Sequence, residues 1–233
     1  MAGETPSATL ARVRALAPLL CVAALLCAAC GGSSKAPTQP PTTTATASTT
    51  GTAQSRADQI GYEGVPVESG PAVAPASTTS QARSAQGIQC APTEQLVYHI
   101  HAHLQVYIDG RPRALPGGIG MIGAVGQQTP YGAVYGATVC YYWLHTHTAD
   151  GVIHIESPLE AVYTLGNFFA VWNQPLSSHQ VAGARGQVSA FVNGKRWTKA
   201  PTAIPLLPHA AIQLDVGTPL VPFHDVSWTG TGL

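Results

Sequence analysis

Six of the nine histidines in this 233-residue chain fall in two short stretches. The first is Tyr98-His-Ile-His-Ala-His-Leu104, and the second runs from Leu144-His-Thr-His through Gly-Val-Ile-His-Ile-Glu156. His99, His101 and His103 alternate with apolar residues, as do His145 and His147 with their neighbours, and His154 stands two before Glu156. Neutral imidazole is the commonest protein ligand for transition metals. A period of two is that of a β-strand, which places alternate side chains on one face. Two imidazoles spaced so can grip one ion from the same side, and a neighbouring strand can complete the shell. The alternative is a half-buried histidine face bonded to backbone or water. A single histidine is better read that way. Six together would bear desolvation and mutual repulsion on protonation, with little apolar burial in return.

These strands need a frame. Residues 96–108 read as one strand, with Tyr98, Ile100, Ala102, Leu104, Val106 and Ile108 forming a continuous core face. Asp109-Gly110 predicts a hairpin returning through 111–115. Residues 116–136 read as a Gly-rich loop with one short strand at most, and 139–148 as a second long strand. A two-residue Asp150-Gly151 turn would then pair Ala149 with Val152, His147 with His154 and His145 with Glu156. Cβ atoms in such pairs lie roughly 4.5–5.5 Å apart, close enough to share an ion. Cys140 has the opposite parity and should face away. Leu165, Phe168, Phe169 and Trp172 predict one short helix, capped by Thr164 and ending before Pro175, its aromatic stripe belonging to the core. Val188–Val192, Asn193-Gly194 and Lys195–Trp197 make a hairpin, Ala210–Val216 is a further strand, and the tail is coil. The expected fold is mainly β: a single antiparallel sandwich or barrel-like domain with one short helix.

That domain is expected to span 88–233. Ahead of it, 1–29 reads as a signal peptide: Arg12 and Arg14 precede an apolar run to Ala29, interrupted by Pro18. The run falls short of the ~20 residues that span a bilayer. Cys27-Ala-Ala-Cys30-Gly-Gly-Ser resembles the lipobox of bacterial lipoproteins, with Cys27 where leucine is usual. The resemblance implies lipidation of Cys30, a membrane partner through that lipid and an extracytoplasmic location, or secretion if Cys30 is not lipidated. Residues 30–87 read as a disordered linker, since 36–53 contain alanine as their only apolar type. The stretch 56–80 is expected to stay loose, with Tyr62 able to dock on the domain. Export leaves Cys90 and Cys140, which in an oxidising compartment are expected to form a disulfide.

The donor set narrows the metal. With Cys140 turned away and Met121 the one methionine left after export, a blue-copper site is disfavoured, and too few cysteines exist for a structural Cys-zinc site. An all-nitrogen site with one carboxylate suits Zn²⁺ or Cu²⁺ first, and Mn²⁺ or Fe²⁺ next. The leading ligands are His99, His101, His145, His147 and His154, with His103 flanking and Glu156 a ligand or an orienting partner. His179, His209 and His224 stand alone and read as structural or exposed. In an enzyme, Glu156 would be the acid/base beside a metal-bound hydroxide. A third reading is a metal-free interaction or pH-responsive module. The net charge of zero and scattered basic residues argue against a nucleic-acid partner. No nucleophile-elbow, P-loop or dinucleotide motif is present.

His-x-His-x-His-Leu, Cys-x-x-Trp-Leu-His-Thr-His, Gly-Val-Ile-His-Ile-Glu-Ser-Pro and Tyr-Thr-Leu-Gly-x-Phe-Phe-x-x-Trp together resemble an uncharacterised family of exported bacterial and archaeal proteins. The resemblance covers about 88–228 and implies no activity. Thr148 stands where that pattern has Asp. The His-x-His strand spacing is also similar, locally, to the zinc ligands of α-type carbonic anhydrases, whereas the cupin spacings are not met.

Overall fold

The computed structural model describes residues 59–78 and 85–233. The expected signal segment 1–29, the Cys30 lipidation site and the 36–53 tether lie outside these residues. The described part is mainly β with one helix, as the residue pattern predicts.

The organising strand is β2 (Tyr98–Ile108), an interior strand of a seven-stranded sheet. On one edge it pairs antiparallel with β7 (Val152–Ser157), which in turn pairs with β6 (Leu144–His145). Beyond His103 that edge passes to β3 (Arg111–Arg113), returned by the Asp109-Gly110 turn. Both turn residues have positive φ, 50° and 71°, as a tight hairpin requires. The other edge pairs in parallel with β13 (Ala210–Val216), followed by the hairpin of β11 (Val188–Val192) and β12 (Lys195–Trp197). The sheet is therefore mixed, with the β2–β13 pair parallel and its other pairs antiparallel. Small strands β8 (Leu176–Ser177), β9 (Gln180–Val181) and β10 (Ala184–Arg185) form a separate meander.

Alternation in β2 works as predicted. Ala102, Leu104 and Val106 are fully buried in the apolar core, alongside Ile153 and Ile155 of β7. Helix α1 (Leu165–Trp172) brings Leu165, Phe168, Phe169 and Trp172 to the same core. Thr164 caps it: its hydroxyl accepts from Asn167 N–H, and the Asn167 side chain accepts from Thr164 N–H.

Three expectations fail here, each for a physical reason. Residues 116–136 are not a loop. They contribute most of a long hairpin, β4 (Met121–Thr129) and β5 (Gly132–Tyr142), which with β1 (Cys90–Ala91) makes a three-stranded sheet. Much of both strands is exposed, so their ladder rests on backbone hydrogen bonds and leaves no hydrophobic period to read. The single strand expected over 139–148 is broken at Trp143, dividing β5 from β6. Finally, 59–78 is not loose but forms a strap across the domain. Val65 is fully buried, Val73 N–H donates to Ala114 O, and the Trp172 indole N–H donates to Pro75 O. Tyr62, the side chain that could have docked, stays exposed.

Cys90 and Cys140 form the expected disulfide, clamping β1 to β5 across 50 residues of chain. Closing a loop of that length restricts the unfolded chain by up to about 4 kcal/mol. Converting both cysteines to serine should lower the unfolding free energy by about 2–4 kcal/mol, read as a lower urea midpoint. An unchanged midpoint would show that the clamp constrains nothing the rest of the fold does not already hold.

Candidate metal centre

The histidine face spans three strands, and its register differs from the expected one. His101 pairs with His154, and His154 pairs with His145 on its other side. His99 lies opposite Glu156. The expected pairs His147–His154 and His145–Glu156 are displaced by two residues, because the link from β6 to β7 runs through Thr146–Gly151 instead of a two-residue turn. A slip of one would have turned the imidazoles away; a slip of two preserves parity and keeps them on one face. His147, beyond the end of β6, still reaches His154, with ring centroids 4.6 Å apart.

Two of the imidazoles are fixed by β5. His145 Nδ1 lies 2.9 Å from Tyr142 O and His147 Nδ1 lies 2.8 Å from Tyr135 O. A carbonyl can only accept, so both Nδ1 atoms carry a proton, and in the neutral form of each ring Nε2 is the atom that presents the lone pair. Those two Nε2 atoms are 3.1 Å apart. Around a tetrahedral ion with Zn–N near 2.0–2.1 Å, neighbouring nitrogens are about 3.3 Å apart. The segment is also gripped from behind. Tyr135 N–H donates to His147 O, and Thr146 N–H to Ile119 O. Gly120, at φ +73°, allows this close approach: a Cβ there would stand 2.9 Å from His145 Cβ and closer still to Leu144 O.

A second set adjoins the first. His99 Nε2 is 3.0 Å from His101 Nε2, which is 3.2 Å from His154 Nδ1. Glu156 Oε1 lies 3.2 Å from His99 Nε2 and 3.3 Å from His154 Nδ1. Its other oxygen, Oε2, is buried without a hydrogen-bond donor and lies 3.7 Å from His145 Nε2. Two groupings, His145/His147/His154/Glu156 and His99/His101/His154, could each hold a metal ion.

His103 is not brought to these groups. Its Nε2–H donates to Asp150 O at 2.9 Å, and Glu68 Oε1 lies 4.0 Å away. His209 stacks on Trp228, and His224 lies beside Tyr107. Two carboxylates that sequence reasoning missed do arrive. Glu63 Oε1 sits 3.0 Å from His154 Nε2, and Glu94 Oε1 sits 3.5 Å from His147 Nε2. Neither lies in a periodic element; the one sequence signal near Glu63 is the set of apolar residues around it, Ile60, Val65 and Val67.

The electrostatics divide the histidines. Burial holds His101 down at about 3, with neighbouring imidazoles adding to the effect, and pushes buried His145 well below its usual range. His103 is lowered to about 4, again by burial. Burial also acts to lower His154, but hydrogen bonds and charge from Glu156 and Glu63 outweigh it and raise it to about 9. Desolvation would raise Glu63, yet its bond to His154 holds it below the ordinary carboxylate range. Without metal, His154 is thus the imidazole that holds a second proton, between the two carboxylates Glu63 and Glu156.

No family model, characterised protein or solved structure matches the chain. The functional reading rests on the site itself.

The same shifts set a pH profile for the metal-free protein. Histidines with depressed folded values stabilise the fold above their unfolded value of about 6.5 and withdraw that stability as acid protonates the unfolded chain. His154, raised, stabilises below about 6.5 and loses its effect as pH climbs through about 9. Asp150, raised to about 7 by burial first and Glu63 second, and Glu68, pushed well above its ordinary range by burial, offset part of the acid loss. In chelator, Tm should peak near about pH 6.5–7 and fall by roughly 5–10 °C toward pH 4.5. A flat Tm from 4.5 to 7 would contradict buried neutral histidines.

Proposed function

We propose that this protein is an extracytoplasmic lipoprotein that binds a divalent transition metal, Zn²⁺ or Cu²⁺, through its clustered strand histidines. One observation carries the reading: His145 and His147 donate their Nδ1 protons to backbone carbonyls and bring their two Nε2 atoms to 3.1 Å of each other. Backbone acceptors that fix the tautomer are the usual support behind metal-binding imidazoles. Nitrogen donors with a carboxylate suit Zn²⁺ or Cu²⁺, and both described cysteines are held in the disulfide. That disulfide also supports an oxidising compartment, in keeping with the lipobox at Cys30 and with the resemblance to exported proteins.

A second reading, metal-bound hydroxide acting on a small molecule, is favoured by one feature. His99, 39% exposed at its side chain, lines a cleft with His101, Pro208 and His209. An exchangeable metal-bound water, detected by water-proton relaxation of the Cu²⁺-loaded protein, would support it. A closed shell would leave capture, buffering or delivery.

Metal-depleted protein titrated with Zn²⁺ or Cu²⁺ at pH 7.5 should bind more tightly than micromolar, and His145→Ala/His147→Ala should weaken binding at least about 100-fold. Because His154 is protonated there until metal arrives, calorimetry in buffers of different ionisation enthalpy should show about one proton released. Affinity should therefore rise with pH toward about 9. Binding weaker than micromolar for both ions would overturn the reading.

Lipidation is tested separately. Cys30→Ser should move the protein from the membrane fraction to the soluble one, and unchanged fractionation would refute it.

A further inference from the structure

Glu156 touches both histidine pairs, with a different oxygen for each. Oε1 is 3.2 Å from His99 Nε2, and Oε2 is 3.7 Å from His145 Nε2. The second oxygen has no hydrogen-bond donor although it is fully buried, which is costly for a carboxylate with nothing else to meet. The pairs it joins are alike: His99 and His101 hold their Nε2 atoms 3.0 Å apart, His145 and His147 hold theirs 3.1 Å apart. His154 stands between the pairs, its Nδ1 3.2 Å from His101 Nε2 and its ring stacked on that of His145 at 5.4 Å between centroids.

One four-coordinate ion cannot use this inventory. Five imidazoles and two carboxylate oxygens exceed four donors, and serving one His-x-His pair leaves the other with nitrogens in close contact. Each pair also has its own opening. His147 lines a cleft with Val134, Tyr135 and Tyr141 of β5, whereas His99 and His101 line the cleft beside Pro208 and His209.

We propose that the face is a dinuclear centre, with one divalent ion on His99 and His101, a second on His145 and His147, Glu156 bridging them and His154 completing one shell. The proposal rests on the metal-binding reading and deepens it. Carboxylate-bridged ions in two-metal sites lie about 3.5–4 Å apart, close enough for two Cu²⁺ spins to couple.

The test uses Cu²⁺ on the metal-depleted protein, with Zn²⁺ calorimetry in parallel. Two equivalents should bind, and the fully loaded protein should lose most of its ordinary Cu²⁺ EPR intensity and show a half-field transition. His99→Ala/His101→Ala and, separately, His145→Ala/His147→Ala should each reduce the stoichiometry from two to one and restore an isolated Cu²⁺ spectrum, with circular dichroism confirming the fold. If one double variant does not fold, the other and the wild-type spectrum still decide the matter. One equivalent in the wild type would overturn the dinuclear centre while leaving metal binding intact, and no binding would overturn both. Two equivalents with uncoupled spectra, or a variant that keeps both, would also overturn it.

Discussion

Two ring N–H bonds to backbone carbonyls, from His145 to Tyr142 and from His147 to Tyr135, govern the rest of the site. Both acceptors belong to β5, a strand outside the histidine sheet. They set the tautomer and the orientation of the rings together, so the two Nε2 atoms are held side by side instead of rotating freely. Much of the surrounding structure keeps β5 where these bonds need it. The Cys90–Cys140 disulfide ties it to β1, and Gly120 lets the β6 segment close against the start of β4.

Such a face is expensive in a metal-free protein. Desolvation disfavours charge on His101 and His145, while Glu63 and Glu156 draw a proton onto His154. The opposite face of the same strands supplies the balance. Leu104, Val106, Ile153 and Ile155 are fully buried, and each such side chain contributes roughly 1.5–3 kcal/mol. Polar chemistry on one face and apolar adhesion on the other both follow from the alternation of β2 and β7. A mutation that shifted either strand by one residue would destroy both.

That alternation was also what made the site readable. A period of two over 98–108, 139–148 and 152–157, with Asp-Gly and Asn-Gly turns elsewhere, was enough to place five histidines and Glu156 on one surface and to set Cys140 apart from them. The register was harder, because a tight turn after Asp150 is only one of several ways to reverse a chain. The error of two left the chemistry untouched for the parity reason given above. What stayed hidden has a common cause. The β4–β5 hairpin and the strap are held by backbone bonds and a few isolated side chains, and neither buries a periodic face. Glu63 is set by tertiary packing across 91 residues from His154, and His103 departs from its neighbours because β7 begins opposite it, at Val152, and the preceding Asp150-Gly151 segment lies against its ring.

The parallel pairing of β2 with β13 has a kinetic meaning. Ala102 meets Ala210 across more than a hundred residues, whereas the five grouped histidines and Glu156 all lie between positions 99 and 156. Contacts of long sequence separation are slow to form because the loop must close before the pairing rewards it. The strands that carry the ligands can meet while the C-terminal third of the chain is still unpaired, leaving one edge of β2 open. Of the two pairings of β2, the one with β13 therefore closes the longer loop, and the one with β7 that assembles the histidine face closes the shorter.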